Sequence, residues 1–279
     1  MSLTNENYFS PENQMKYMGV SQFKAFEKCP ASALAEITGN FEHEQTTALL
    51  VGSYVDAHFE GTLDIFKAKN PQLFKKDGSL KADYIQAEQI IQYLENDDLF
   101  VDFMSGKKQV IMTGTIEGVE VKIKIDSYID SALGKEIMRK YPEIAEILDL
   151  SEGAIVDLKI VKDFEPIYVP EKGRLNWIEA WEYDLQGAVY QEVVRQNIGK
   201  VLPFLIVAGT KEKSGPDKAI IEIPQSYLDV ELDRFRKNVQ FYDAIKKGLI
   251  EPDRCEHCAY CKATKVLTKP ISLEELDYE

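Results

Sequence analysis

Two aspartates and a lysine carry the most pointed chemistry in this chain. Asp126 stands near the end of one alternating run, 119–129, and Asp157 and Lys159 stand together in the next, 154–161. Residues two apart in a strand leave the same face, so Asp157 and Lys159 point together. Acids from neighbouring strands offer oxygen ligands to a hard divalent cation, and a lysine beside them can hold or polarise a water. Phosphodiester hydrolysis needs that set. Taken alone, the pattern also describes an ordinary solvated strand face with Lys159 as a salt-bridge partner. Two helical pairs give it context. In 52–60, G-S-Y-V-D-A-H-F-E, Asp56 and Glu60 share one helix face while His58 points elsewhere. Gly52 is expected to let that helix pack closely on a sheet. Gln186 and Tyr190 form a second pair on one face of a helix over 177–198.

The other chemistry-bearing residues are Cys29, Cys255, Cys258 and Cys261. Three form a C-x-x-C-x-x-C run and the fourth lies far upstream. In a reducing compartment such clustering reads as metal or redox chemistry, not as a disulfide framework. His257, inside the run, reads as a spacer.

The elements that must position these residues follow from periodicity. Residues 1–19 read as a loose leader. Ser21 is a candidate N-cap for a helix with Phe23 and Phe26 at helical spacing; Pro30 marks a break or a second start, and Gly39 a stop. Residues 45–68 read as helix with two glycine interruptions, 69–83 as a polar loop, and 84–104 as helix. The period then changes to two. Runs 110–116 and 119–129 are strands joined by a Glu117-Gly118 turn. Val119, Val121, Ile123 and Ile125 form one face of the second, and Glu120, Lys122, Lys124 and Asp126 the other. Strands are expected at 154–161, 202–209 and 219–223, with a long amphipathic helix over 227–249. The order argues for a single α/β domain over 1–279 with a mixed central sheet flanked by helices.

Composition sets limits. The 279 residues carry 33 Lys+Arg against 47 Asp+Glu, a formal charge of −14. That excludes a uniformly basic, groove-coating DNA binder; contact with a polyanion must come from a local patch or through metal ions. Candidate patches are Lys107-Lys108, Lys122/Lys124, Lys172/Arg174 and Lys211/Lys213. No apolar stretch of about 18 residues is present, so no membrane span is expected. The first residues lack a basic region followed by an apolar one, so no secretory signal is expected and the expected location is cytoplasmic.

The ordered set G-S-x-x-D-x-x-x-E (52–60), I-D (125–126), D-L-K (157–159) and Q-x-x-x-Y (186–190) resembles the PD-(D/E)xK nuclease superfamily, in its RecB-like branch. The resemblance spans about 20 to 262 and is nearest to phage and prophage exonucleases of the RecE (exonuclease VIII) type. It implies a restriction-endonuclease-like core and a metal-dependent DNA exonuclease using Mg²⁺ or Mn²⁺. It further implies a bacterial host cell, double-stranded DNA ends as substrate, and a single-strand annealing protein as partner. By that resemblance Asp56, Asp126 and Asp157 bind metal, Asp126, Asp157 and Lys159 are catalytic, and Glu60 supports them. Gln186 and Tyr190 would contact DNA. Asp56 stands where the family usually has histidine, and residues 131–152 form an inserted helix or flap between the two strand acids. S-x-x-x-x-F-x-x-C-P (21–30) resembles RecB-like nucleases that carry an iron–sulfur cluster. There one N-terminal and three C-terminal cysteines close a [4Fe–4S] site, here falling on segments 20–40 and 250–265. A Cys₄ zinc site uses the same ligands. The rival readings are a non-catalytic DNA-binding or scaffold protein on the same fold, or a cluster-bearing nuclease with other DNA substrates. No G-x-x-x-x-G-K-[ST] loop is present, so no ATPase is expected in this chain. Homo-oligomerisation is left open.

Overall fold

Glu117 and Gly118 both adopt left-handed backbone, at φ 49° and 80°, which is what a tight two-residue hairpin turn needs. In the computed structural model, which describes residues 3–42, 45–212, 214–270 and 272–273, this turn joins β1 (Lys107–Ile116) to β2 (Val119–Asp130). The remaining strands are β3 (Gly153–Val161), β4 (Ile167–Val169), β5 (Gly173–Leu175), β6 (Phe204–Thr210) and β7 (Lys218–Glu222). Five of them form the central sheet in the order β1-β2-β3-β6-β7, and β4-β5 is a separate hairpin. Among the described strands only β3 and β6 pair in parallel. A parallel pair needs a crossover, and here the crossover carries the Gln186/Tyr190 helix.

Among the described residues thirteen α-helices accompany the sheet. Before β1 lie α1 (Pro11–Lys16), α2 (Val20–Lys28), α3 (Pro30–Ile37), α4 (Thr47–Phe59), α5 (Leu63–Lys69), α6 (Ala82–Glu95) and α7 (Asp98–Phe103). Between β2 and β3 come α8 (Ser131–Lys140) and α9 (Pro142–Ala145), the expected insertion. Then follow α10 (Trp177–Ala180), α11 (Tyr183–Ile198), α12 (Gln225–Lys246) and α13 (Ala259–Ala263). Each sheet face has its own core. Phe23 and Phe26 of α2, Leu185 and Val189 of α11 and Phe235 of α12 cover one. Leu50 and Tyr54 of α4, Ile90 and Leu94 of α6 and Phe100 of α7 cover the other. Leucines and aromatics at three- and four-residue spacing give each helix one apolar stripe, which fixes the side it presents.

Three sequence expectations need correction. The leader is not loose. Tyr8, Tyr17 and Met18 are buried, and Met18 bridges Val121 of β2. Lys122, expected to form a basic patch with Lys124, is the reason: its buried ammonium donates to the Tyr8 and Asn13 carbonyls and to Gln14 Oε1. Second, the helix read over 177–198 breaks at Trp181–Glu182, where Glu182 has φ 55°. Third, a Cβ placed on Gly52 would meet nothing within 4 Å, so that glycine is not required by sheet packing. The close approach belongs to Gly187 on α11, where a Cβ would come within 2.6 Å of Phe204 Cδ1. That glycine seats α11 hard against β6.

Candidate active site

The site arises where the sheet splays. Strands β2 and β3 pair from Asp130↔Gly153 to Ser127↔Val156 and then part. The next opposed pair would be Asp126 and Asp157, and two carboxylates facing each other across a ladder repel. Asp126 replaces the lost ladder bond with its side chain, as Oδ2 accepts the Leu158 amide at 3.0 Å. Gln109 Nε2 donates to its Oδ1 at 3.4 Å. Asp157 is buried. Its Oδ1 accepts from Gln186 Nε2 at 2.5 Å. Its Oδ2 pairs with the Lys159 ammonium. Lys159 also lies over the Tyr183 ring, 4.8 Å from its centroid. Helix α4 brings Asp56 and Glu60 to the same place. With Asp126, Asp157, Lys159, Gln186 and Tyr190 they line one cleft of about 590 Å³.

The electrostatics are those of too many acids. Burial, then the neighbouring Asp126, pushes the Asp56 carboxyl well above the usual carboxylate range. Burial, then Asp157, pushes Asp126 up to about 7. Burial alone would strip the proton from Lys159, but Asp157 and Asp126 outweigh it and hold the ammonium above its ordinary value. Three carboxylates, Asp157 buried and Asp56 and Asp126 half-buried, against one lysine leave excess negative charge in a low dielectric. A divalent cation with oxygen preference answers it, so the donor set of Asp56, Asp126 and Asp157 fits Mg²⁺ or Mn²⁺. Protons and cation compete for these oxygens. The apparent Mg²⁺ affinity is therefore expected to fall as pH drops below about 7. Metal-free protein should lose stability as pH rises from about 4 to 7, because folded Asp126 keeps a proton that the unfolded chain, with a pKa near 3.9, has released. Calorimetric Mg²⁺ titrations and EDTA-treated melts across that range check both signs; affinity that does not change with pH contradicts them.

The four cysteines also converge. Cys29 leaves the end of α2, and the other three ride the loop into α13. Cys29 Sγ lies 3.6 Å from Cys261 Sγ and 3.8 Å from Cys258 Sγ, and Cys255 Sγ lies 4.0 Å from Cys261 Sγ. All four sulfurs fall within 4.8 Å of one another. The Cys258 amide donates to Cys255 Sγ and the Cys261 amide to Cys258 Sγ, as amides do around thiolate ligands. Ala31 N to Asp253 O, 3.0 Å, ties the same two segments.

A family model described as a PDDEXK-like domain of unknown function matches residues 19–133 and 145–264. The chain belongs to this PDDEXK-like family. The gap in the match, 134–144, falls inside α8 and α9. A crystal structure from Eubacterium rectale, of a protein described as a candidate exonuclease, is similar at 43% identity. It covers 100% of this chain and 99% of its own, with a TM-score of 0.88. A second solved structure, SSO0001, matches at 11% identity over 79% of this chain and 86% of its own, with a TM-score of 0.26. No curated protein matches.

In this PDDEXK-like site His58 stands apart. It points to α6 and pairs with Glu95 Oε1 at 2.7 Å, and it does not line the cleft. Substituting Asp56→Asn is expected to weaken metal binding at least about tenfold, whereas His58→Asn should change it by less than about twofold. Calorimetry on both variants decides; metal loss in the histidine variant would reverse the assignment. Tyr190 donates to the Lys124 carbonyl at 3.1 Å and so braces α11 against β2. Gln186 orients Asp157. Of the candidate basic patches, Lys124 lines the cleft, Lys107 pairs with Asp130 and Lys108 with the Met104 carbonyl. Lys172 and Arg174 lie exposed on the β4-β5 hairpin, and Lys211 bonds the Ala48 carbonyl. Lys213 lies outside the described residues.

Sequence reasoning missed several contributors. Tyr8 and Phe9 form a cleft wall with Lys24. Tyr183 precedes Gln186 by three residues on α11, so helical spacing alone would have found it. Nothing local marks Lys24 or Gln109, whose φ of 50° aims it at Asp126.

Proposed function

We propose that this chain is a divalent-metal-dependent DNA exonuclease that resects double-stranded ends in phage-type recombination and leaves a single strand for an annealing partner. The observation that carries it is the splayed β2-β3 junction, which gathers Asp126, Asp157 and Lys159 with Asp56 on the wall of one cleft. The E. rectale relative's description as a candidate exonuclease supports the same reading. Asp56, Asp126 and Asp157 would hold the cation, which supplies charge stabilisation at the phosphate and a more acidic water. Lys159 is held protonated, so it serves as a fixed cation and hydrogen-bond donor toward water or a phosphate oxygen, not as a base. Gln186 keeps the Asp157 carboxylate turned toward the cleft. Mg²⁺- or Mn²⁺-dependent degradation of linear duplex, with covalently closed circles spared, is the expected result. Equal cleavage of circles would make it an endonuclease. Binding without cleavage at any divalent metal would favour the DNA-binding scaffold.

For the four cysteines, spacing favours one ion. Zinc–sulfur bonds of about 2.3 Å set tetrahedral sulfur–sulfur edges of about 3.8 Å, and the observed separations are 3.6, 3.8 and 4.0 Å. In a [4Fe–4S] cluster each thiolate sits on its own iron, which holds the sulfurs farther apart. Zinc in a Cys₄ site is therefore the reading we adopt over the cluster that the family resemblance implies.

A further inference from the structure

The carboxylates and Lys159 lie where two clefts meet. The second, of about 950 Å³, shares Ser53, Asp56, Leu158 and Lys159 with the first and otherwise has its own walls. Those walls are mostly apolar, with Leu49 and Trp181 prominent and Lys162 and Lys211 among the polar residues. Asp163 and Glu165 also line it. Trp181 is the unusual element. It is 52% exposed, whereas the other tryptophan, Trp177, is buried and stacked on Phe164.

Its exposure is built in. Trp181 closes α10, and Glu182, in the left-handed region at φ 55°, opens α11. A non-glycine residue persists there only when its surroundings hold it. Lys24 Nζ donates to the Trp181 carbonyl at 2.6 Å and to the Glu182 carbonyl at 3.3 Å, and Arg234 binds Glu182 Oε1 at 2.9 Å. Lys24 also lines the first cleft, so one cation ties the turn to the carboxylate site. A large indole is thus fixed in the open beside the place where a phosphate would react.

We propose, resting on the nuclease reading above, that Trp181 is a stacking platform for a nucleobase of a single DNA strand that crosses the metal site from one cleft into the other. An indole stacks well on an unpaired base, and stacking of this kind accepts any base. Within a duplex each base face is already covered by its neighbours, so the platform selects a strand that has been separated.

Intrinsic fluorescence with Ca²⁺ in place of Mg²⁺ tests this, using an oligothymidylate and a blunt hairpin duplex as probes. Oligothymidylate is expected to quench wild-type emission more than the duplex does. Trp181→Ala should weaken oligothymidylate binding about tenfold by anisotropy, and Trp181→Phe should restore most of it. Binding without quenching, unchanged affinity in Trp181→Ala, or equal loss in the alanine and phenylalanine variants overturns the platform. So does a wild-type protein that binds no single strand. Thermal melts of both variants equal to wild type exclude a collapsed turn. The two readings separate cleanly. Quenching and binding as expected, with no cleavage when Mg²⁺ is added, refutes the nuclease and leaves the platform. Normal cleavage with normal Trp181→Ala binding does the reverse.

Discussion

Lys159→Ala is expected to lower cleavage of linear duplex at least about 10²-fold, or about 2.7 kcal/mol of transition-state stabilisation. Among the described residues the ammonium is the one cation in ion-pair contact with the buried Asp157 carboxylate, and the other lysines of the cleft are engaged elsewhere, Lys24 with the Trp181 and Glu182 carbonyls. Lys124, on β2, lies over the Phe9 and Tyr8 rings at 5.4 and 5.7 Å. Lys122 is committed to the N-terminal segment. Asp126→Asn and Asp157→Asn should lose at least as much, because each removes a ligand charge. The variants differ in a second readout. The lysine variant keeps all three carboxylates and should still bind Mg²⁺, while the asparagine variants should bind it weakly. Calorimetry and cleavage rates on the same preparations, with circular dichroism to confirm folding, give the comparison. A folded Lys159→Ala protein within about tenfold of wild type would show that the lysine is only a surface-type salt-bridge partner.

Cys255→Ser is expected to abolish stoichiometric metal at the four-cysteine site and to lower the melting temperature by about 10 °C or more. Cys255 is the useful choice because it is only partly buried, so serine there strands no hydroxyl in an apolar core. The loss then reports the ion and not the packing. Elemental analysis of anaerobically purified wild type should give about one zinc per chain and a colourless protein. A brown protein with iron and sulfide would restore the [4Fe–4S] reading. Serine protein that melts with wild type, neither carrying metal, would leave four free thiols.

How much of this was legible beforehand depends on the range of the interaction. Asp157 and Lys159 were legible because a strand's period of two is local. Asp56 and Glu60 were legible because a helix brings every fourth residue together. The mixed sheet followed from the order of the elements. The N-terminal segment was not legible. Its composition is polar, and what orders it is a lysine on β2, more than a hundred residues away, whose ammonium meets three oxygens at once. The same long-range pairing buries Lys122, which the sequence offered as part of a basic patch with Lys124. The break at Trp181–Glu182 carries no glycine or proline to announce it, because Lys24 and Arg234 hold the turn from outside. Gly52 failed in the opposite sense. A glycine beside a helix-borne acid suggested close approach, but the tight contact is at Gly187.

The sulfur site has a consequence for how the molecule is made. Its first ligand, Cys29, and its last, Cys261, are separated by 232 positions. At about 5–20 residues per second of synthesis, Cys29 waits roughly 12–46 s on the ribosome for the ligand that completes its site. Throughout that interval α2 and α3, which flank Cys29, lack α12 and α13, against which they pack. A chain stalled before Cys255 would hold every carboxylate of the cleft and none of the closure. The four-sulfur closure is therefore the last of these contacts to form, after every carboxylate of the cleft has been synthesised.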